Sequence, residues 1–215
     1  ARKFTLKEQK TVTSPVASRL NSLYSSGTMI VGMQGGQGTG KSTLVKYIVK
    51  SLQKKGHTVV SFSIDDFYKS LEEREKLSKK YPSNPFYQIP RGMPGTHDLK
   101  DLELVFKKAK AGKDFSIPHF DKSLHQGRGD RTKKLTKVSK RVDFVIIEGW
   151  CVGLPSVSSE KFVGLCDSHK IDPLATHHKI VLKYLKDYQP LWKYLDFMIQ
   201  LKPTSMSVHK KWRQL

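Results

Sequence analysis

Apolar and polar positions follow two periods along this chain, and the switches between them outline its elements. Met29-Ile30-Val31-Gly32-Met33 is a short apolar run with β-branched residues, long enough for a buried strand. After a glycine-rich interval, Leu44, Val45, Ile48, Val49 and Leu52 recur at helical spacing, with Lys46, Lys50, Gln53 and Lys54 on other faces and Gly56 as a stop. The runs 58–64 and 142–150 predict two more strands, and 195–201 a further one. Ile180, Val181, Leu182, Leu185 and Leu191 predict a helix before that last strand, and 208–215 opens another. In the N-terminal segment 1–28, Val12, Val16, Leu20 and Leu23 predict a helix packed on the sheet edge. Residues 71–90 begin helical and end in turn chemistry, the natural cover of an acceptor site, and 98–112 predicts a helix leading into a basic loop.

The glycine-rich interval carries the most specific chemistry. Gly35-x-x-x-x-Gly40-Lys41-Ser42 has the spacing of a phosphate-binding loop, and it lies between a predicted strand and a predicted helix. Gly35, Gly36, Gly38 and Gly40 open backbone conformations closed to residues with side chains, so successive N–H groups can turn toward phosphate oxygens. Gln37, Thr39 and Thr43 complete the expected ATP-binding stretch. The helix adds its positive end, Lys41 would reach the β- and γ-phosphates, and the Ser42 hydroxyl would bind Mg²⁺.

Two acids follow on other strands. The 58–64 run delivers Asp65-Asp66-Phe67-Tyr68 at its carboxyl end, where open α/β sheets bind ligands. A carboxylate there can accept a hydroxyl proton while that oxygen attacks the γ-phosphorus. Adjacent aspartates point in different directions, so one of the pair is expected to face the phosphoryl group and Asp66 is the better candidate for a cap or turn. Glu148 ends the 142–150 strand ahead of Gly149 and can hold the Mg²⁺ shell beside Ser42.

Composition narrows the partners. In 215 residues, 39 Lys and Arg face 19 Asp and Glu, a formal charge of +20, which calls for anionic partners: nucleotides, phosphorylated metabolites, nucleic acid or a membrane surface. The densest basic run, 127–141, reads either as a solvated loop or as an anion-attracting rim. No apolar run approaches the roughly 18 residues that span a bilayer. Cys151 and Cys166 fit reduced thiols and a cytoplasmic location, or an organelle reached through a removed transit peptide. The histidines and cysteines lack zinc-ligand spacing.

The glycine loop, SIDDFY, RGMPGTHDL, IPHFDKS, GRGDR and IIEGW occur in that order, and together they resemble D-glycerate 3-kinase and its fungal ATP-dependent kinase relatives, within a wider group containing uridine kinase, phosphoribulokinase and bacterial pantothenate kinase. The resemblance implies a three-layer α/β/α P-loop domain over 29–215, with a mainly parallel sheet and an acceptor-site and lid insertion. It implies a Mg²⁺- and ATP-dependent transfer to a hydroxyl of a small acceptor, with D-glycerate the favoured one. By the same likeness Asp65 is the catalytic carboxylate, also close enough to share the metal, and Glu148 the second acid of the nucleotide site. Arg91, His97 and Asp98 fall in the acceptor-side wall, and Asp66, Tyr68, Lys122, Arg128 and Arg131 lie in motifs around the same cleft. Arg91, Arg128 or Arg131 is expected to hold the acceptor's carboxylate. Trp212-Arg213 resembles the start of a lid helix whose arginine stabilises the transferred group. Family members continue through a longer lid and a closing strand, so the lid is expected to be incomplete here. A nucleoside or pantothenate kinase, an ATP-binding pseudokinase and a nucleic-acid-binding ATPase are the competing readings.

Overall fold

A computed structural model of the chain describes residues 5, 9–158, 161 and 176–202. Its centre is a sheet of four parallel strands in the order β2-β5-β1-β6, where β1 is Met29–Gly35, β2 Val59–Ser63, β5 Phe144–Gly149 and β6 Phe197–Leu201. Alternation along the strands sends side chains to opposite faces. Ile30, Phe62, Val145 and Ile147 join one core, and Val31, Met33, Val59, Phe144 and Ile146 join the other. Both faces are therefore covered, which explains why these strands read as nearly unbroken apolar runs.

One face carries α1 (Ser14–Leu23) and α2 (Lys41–Gln53), whose Leu44, Val45, Ile48 and Leu52 are buried as their spacing predicts. In α1 the buried residues are Ala17 and Leu20, while Val12 and Leu23 are exposed. The stripe expected from the sequence is thus turned by about one position. Leu20 packs into the same core as α2. The opposite face is covered by α5 (Leu99–Lys110) and α6 (His178–Trp192), through Leu102, Val105, Phe106, Tyr188 and Leu191. The layers are α/β/α.

Three departures from the sequence reading bear on the site. The 58–64 run ends as a strand at Ser63, and Ile64–Phe67 forms a 3₁₀ turn because Ser63 and Asp66 cap each other. Residues 71–90 give two helices, α3 (Leu71–Lys80) and α4 (Pro85–Gln88). The basic run 127–141 is largely strand rather than loop: β4 (Asp130–Val138) pairs antiparallel with β3 (Phe115–Asp121) in a separate hairpin. Phe115 and Ile117 anchor that hairpin in the core, whereas residues 133–137 are all exposed. Its connecting loop runs through three successive left-handed residues, His125 (φ 51°), Gln126 (φ 57°) and Gly127 (φ 84°). For the first two that conformation is strained and must be held by the surroundings.

Candidate active site

Parallel strands in register bring the ends of β1, β2 and β5 to one edge: Glu148 lies opposite Met33 on one side and Ser63 on the other. The glycine loop leaves β1 at this edge and enters α2. Gly38 (φ 82°) and Gly40 (φ 86°) are left-handed, and Gly40 precedes the first turn of the helix. At Gly35 a Cβ would stand 2.8 Å from Thr39 Oγ1 and 3.0 Å from Leu201, so the loop closes too tightly for any side chain there. Thr39 Oγ1 donates to the Gly36 carbonyl at 2.8 Å and Lys41 Nζ to the same oxygen at 3.0 Å, which sets the lysine back across the loop. Burial lowers the Lys41 pKa, opposed by the nearby Glu148 and Asp65 carboxylates. Gln37 and Gly38 form the exposed crest, and Thr43 lies half-buried in the first turn of α2.

Ser42 Oγ donates to Glu148 Oε1 at 2.5 Å, joining the helix start to the end of β5. A hydroxyl beside a carboxylate is the oxygen-only donor set Mg²⁺ accepts, with the remaining positions left to phosphate and water. Among the described residues, no group of three or more His, Cys, Asp or Glu side chains could hold a metal by itself. Among the described residues, no hydrogen bond joins Asp65 to this pair; its expected share in the metal stays a proposal.

The two aspartates diverge. Asp66 Oδ2 accepts from Ser63 N at 3.0 Å and closes the 3₁₀ turn; its placement is that of a cap, at odds with an acceptor contact. Asp65 points the other way, to Lys122 Nζ at 2.7 Å. Burial works to raise the Asp65 pKa, but the Lys122 ammonium and the Tyr68 hydroxyl hold it below the ordinary carboxylate value. Asp65 is therefore ionised at neutral pH.

Behind Asp65 stands an aromatic wall. The Tyr68 ring stacks on His97 with centroids 4.4 Å apart and planes 19° apart. His97 is buried, and its Nδ1 lies 2.7 Å from Tyr188 Oη. Gly95 N–H donates to that same hydroxyl. Burial takes the His97 pKa down to about 4. Its Nε2 has no hydrogen-bond partner among the described residues.

The cationic side chains are not equally free. Arg131 bonds Asp98 Oδ2 at 3.2 Å and Asp101 Oδ2 at 2.6 Å, and Asp98 also caps α5 through Asp101 N. Arg128 pairs with Glu75 at 2.7 Å. Among the described residues Arg91 meets only a carbonyl, donating to Gly127 O at 2.7 Å. Of the three guanidinium groups expected to serve a carboxylate, two already hold acids of this chain. Arg213, Cys166 and the helix expected over 208–215 lie outside the described residues.

Three residues of this region escaped sequence reasoning. Trp150 Nε1 donates to Gly92 O at 2.7 Å, tying the end of β5 to the acceptor-side loop. Tyr188 continues the apolar stripe Leu182-Leu185-Tyr188-Leu191, so its burial was readable and its partner was not. Arg74 is 5% exposed in a helix, LEEREKLSKK, that reads as a solvated surface helix throughout, and nothing in that pattern marks it.

Comparison with known proteins now has a geometry to explain. The sequence model of the family described as Nephrocystin 3, N-terminal, matches residues 17–126, which carry the glycine loop and Asp65. A kinase of Schizosaccharomyces pombe described as uncharacterized, mug58, is 35% identical over 86% of this chain and 68% of its own length. The chloroplastic D-glycerate 3-kinase of Arabidopsis thaliana is 33% identical over 86% of this chain, which spans 40% of that protein. A solved D-glycerate 3-kinase structure from Cryptococcus neoformans superposes with a TM-score of 0.82 at 29% identity, covering 98% of this chain and 78% of that one. No described helix is long and apolar enough to cross a membrane.

Proposed function

From the premise that the chain belongs to the P-loop kinase group, and over residues 17–126 to the family described as Nephrocystin 3, N-terminal, we propose that it transfers the γ-phosphoryl group of ATP to a hydroxyl of a small anionic hydroxy acid, with D-glycerate the first candidate. One observation carries this reading: β2 delivers an ionised Asp65 to the sheet edge where Lys41 and the Ser42–Glu148 pair already stand. Likeness to two D-glycerate 3-kinases supports the acceptor class.

Loop amides and Lys41 would bind the triphosphate and set the γ-phosphorus at the end of the loop. Ser42 and Glu148 would hold a Mg²⁺ ion, which would neutralise phosphate charge when bound. Asp65 orients the acceptor hydroxyl and takes its proton as the new O–P bond forms and the bond to the β–γ bridging oxygen breaks, releasing ADP. A carboxylate held below its ordinary pKa is a modest base, so orientation contributes more than proton affinity, as suits a loose phosphoryl transition state. The Arg91 guanidinium, with no acid of its own among the described residues, is the group we assign to the acceptor's carboxylate.

The test is turnover of the full-length protein with MgATP and, separately, D-glycerate, L-glycerate, pantothenate and uridine, read as ADP release with ³¹P NMR of the product. D-Glycerate should give the highest kcat/KM, by at least about tenfold, which corresponds to roughly 1.4 kcal/mol of transition-state discrimination. Phosphate appearing on uridine or pantothenate and on neither glycerate would move the assignment to another acceptor class.

A further inference from the structure

We infer that Arg74 is a positioning residue that assembles the acceptor side of the cleft from three separate loops. This inference rests on the function proposed above for the meaning of that cleft, though not for the contacts. Four of the five guanidinium N–H donors are spent on main-chain carbonyls. Nε donates to Lys69 O at 3.0 Å, Nη1 to Arg128 O at 3.0 Å and to Pro90 O, and Nη2 to Gly129 O at 2.5 Å. Each carbonyl belongs to, or adjoins, a residue of the candidate wall: Lys69 follows Tyr68, Pro90 precedes Arg91, and Arg128 is itself a member.

The guanidinium also lies over the Phe120 ring, 5.0 Å from its centroid, and that ring packs edge-on against Tyr68. Among the described residues no carboxylate is within ion-pair distance of Arg74. The Asp130 carboxylate supports this buried cation only from beyond ion-pair distance, against the charges of Arg91 and Arg128, while its direct hydrogen bonds all go to carbonyls, an unusual choice for stability. What the planar fork provides instead is direction, with several carbonyls held at fixed angles. The hairpin loop needs such a hold, because His125 and Gln126 are left-handed. Its 127–129 carbonyls are taken by Arg91 at Gly127 and by Arg74 at the two residues after it.

The experiment compares Arg74→Lys and Arg74→Met with wild type in the full-length protein. We expect both variants to raise the acceptor KM about tenfold or more while the KM for ATP stays within about twofold. Amide exchange should accelerate at least tenfold in 91–95 and 125–131 and stay unchanged in 35–43. Rescue of acceptor KM and loop protection by Arg74→Lys would assign the effect to charge and overturn positioning, as would equal changes in both KM values. If neither variant folds, Phe120→Leu decides, since it withdraws the ring from the guanidinium and keeps an apolar filler. Phe120 also packs directly on Gly129, so the deciding segment is 91–95: faster exchange there as well as in 125–131 supports the inference, and unchanged exchange in 91–95 refutes it. Amide exchange requires no acceptor, so a protein inactive on every hydroxy acid would refute the proposed function and leave this inference to its own result.

Discussion

The two halves of the cleft are built in opposite ways. The proposed nucleotide half is one contiguous stretch, Gly35–Thr43, in which the backbone would do the binding and the two ends are fixed by a strand and a helix. The proposed acceptor half draws on Tyr68, Arg74, Arg91, His97, Lys122 and Arg128, which are brought together by side-chain bonds to main-chain carbonyls, by the Lys122–Asp65 pair and by a stacked Tyr68–His97 pair. A phosphate loop is defined by its own spacing, so any chain that uses one shows it. An acceptor wall is defined by contacts across some sixty positions, so its shape can change while the nucleotide half stays as it is.

Substitutions should therefore separate the halves by which parameter they move. The largest effect is expected for Asp65→Asn, which keeps shape and removes the charge: kcat should fall by about 10²–10⁴, with MgATP affinity retained. Single-turnover kinetics beside a nucleotide-binding titration checks this. Lys41→Ala should lower kcat/KM by about 10²–10³ and, unlike Asp65→Asn, weaken ATP binding as well. If these two variants had the same profile, the division of labour would be wrong.

Acid should unsettle the acceptor half first. The folded His97 pKa, about 4, lies below its ordinary value of 6.5, so between those pH values the unfolded chain binds more protons than the folded one. Stability contributed by the neutral ring is full above about pH 6.5 and is lost as pH falls toward 4, a change on the order of 3 kcal/mol. Denaturant melts at pH 7 and pH 4 measure most of it, and His97→Gln should flatten that slope. Smaller again is Arg91→Ala, which should raise the acceptor KM about tenfold, near 1.4 kcal/mol, and leave that of ATP alone. The smallest effect is expected at Leu135→Thr on the exposed β4, within about 0.5 kcal/mol of wild-type stability.

How much of this was legible in the sequence follows the same division. Strands β1 and β5 and helices α2 and α6 announce themselves because burial on both sheet faces, or along one helix stripe, leaves a regular apolar pattern, and the edge strand β6 because its apolar run centres on buried Ile199. The loop and the acids at the strand ends are legible because parallel strands present their carboxyl ends to one edge. Residues 127–141 hid a strand, since β4 keeps five successive residues, 133–137, exposed and so shows no alternation. Asp98 and Arg131 look like ligand groups by type, yet the fold sets them against each other and Asp101. Arg74 was invisible because a buried arginine among six charged neighbours carries no periodic mark.

The central claim is that Asp65 stands between a gripped triphosphate and the acceptor hydroxyl. A crystal structure of the full-length protein with a non-hydrolysable ATP analogue, Mg²⁺ and the acceptor measures it directly. Lys41 should lie on the β- and γ-phosphates, and an Asp65 oxygen within about 2.6–3.2 Å of the acceptor hydroxyl. An Asp65 still paired with Lys122 and out of reach of that hydroxyl, with the triphosphate and acceptor both bound, would contradict it.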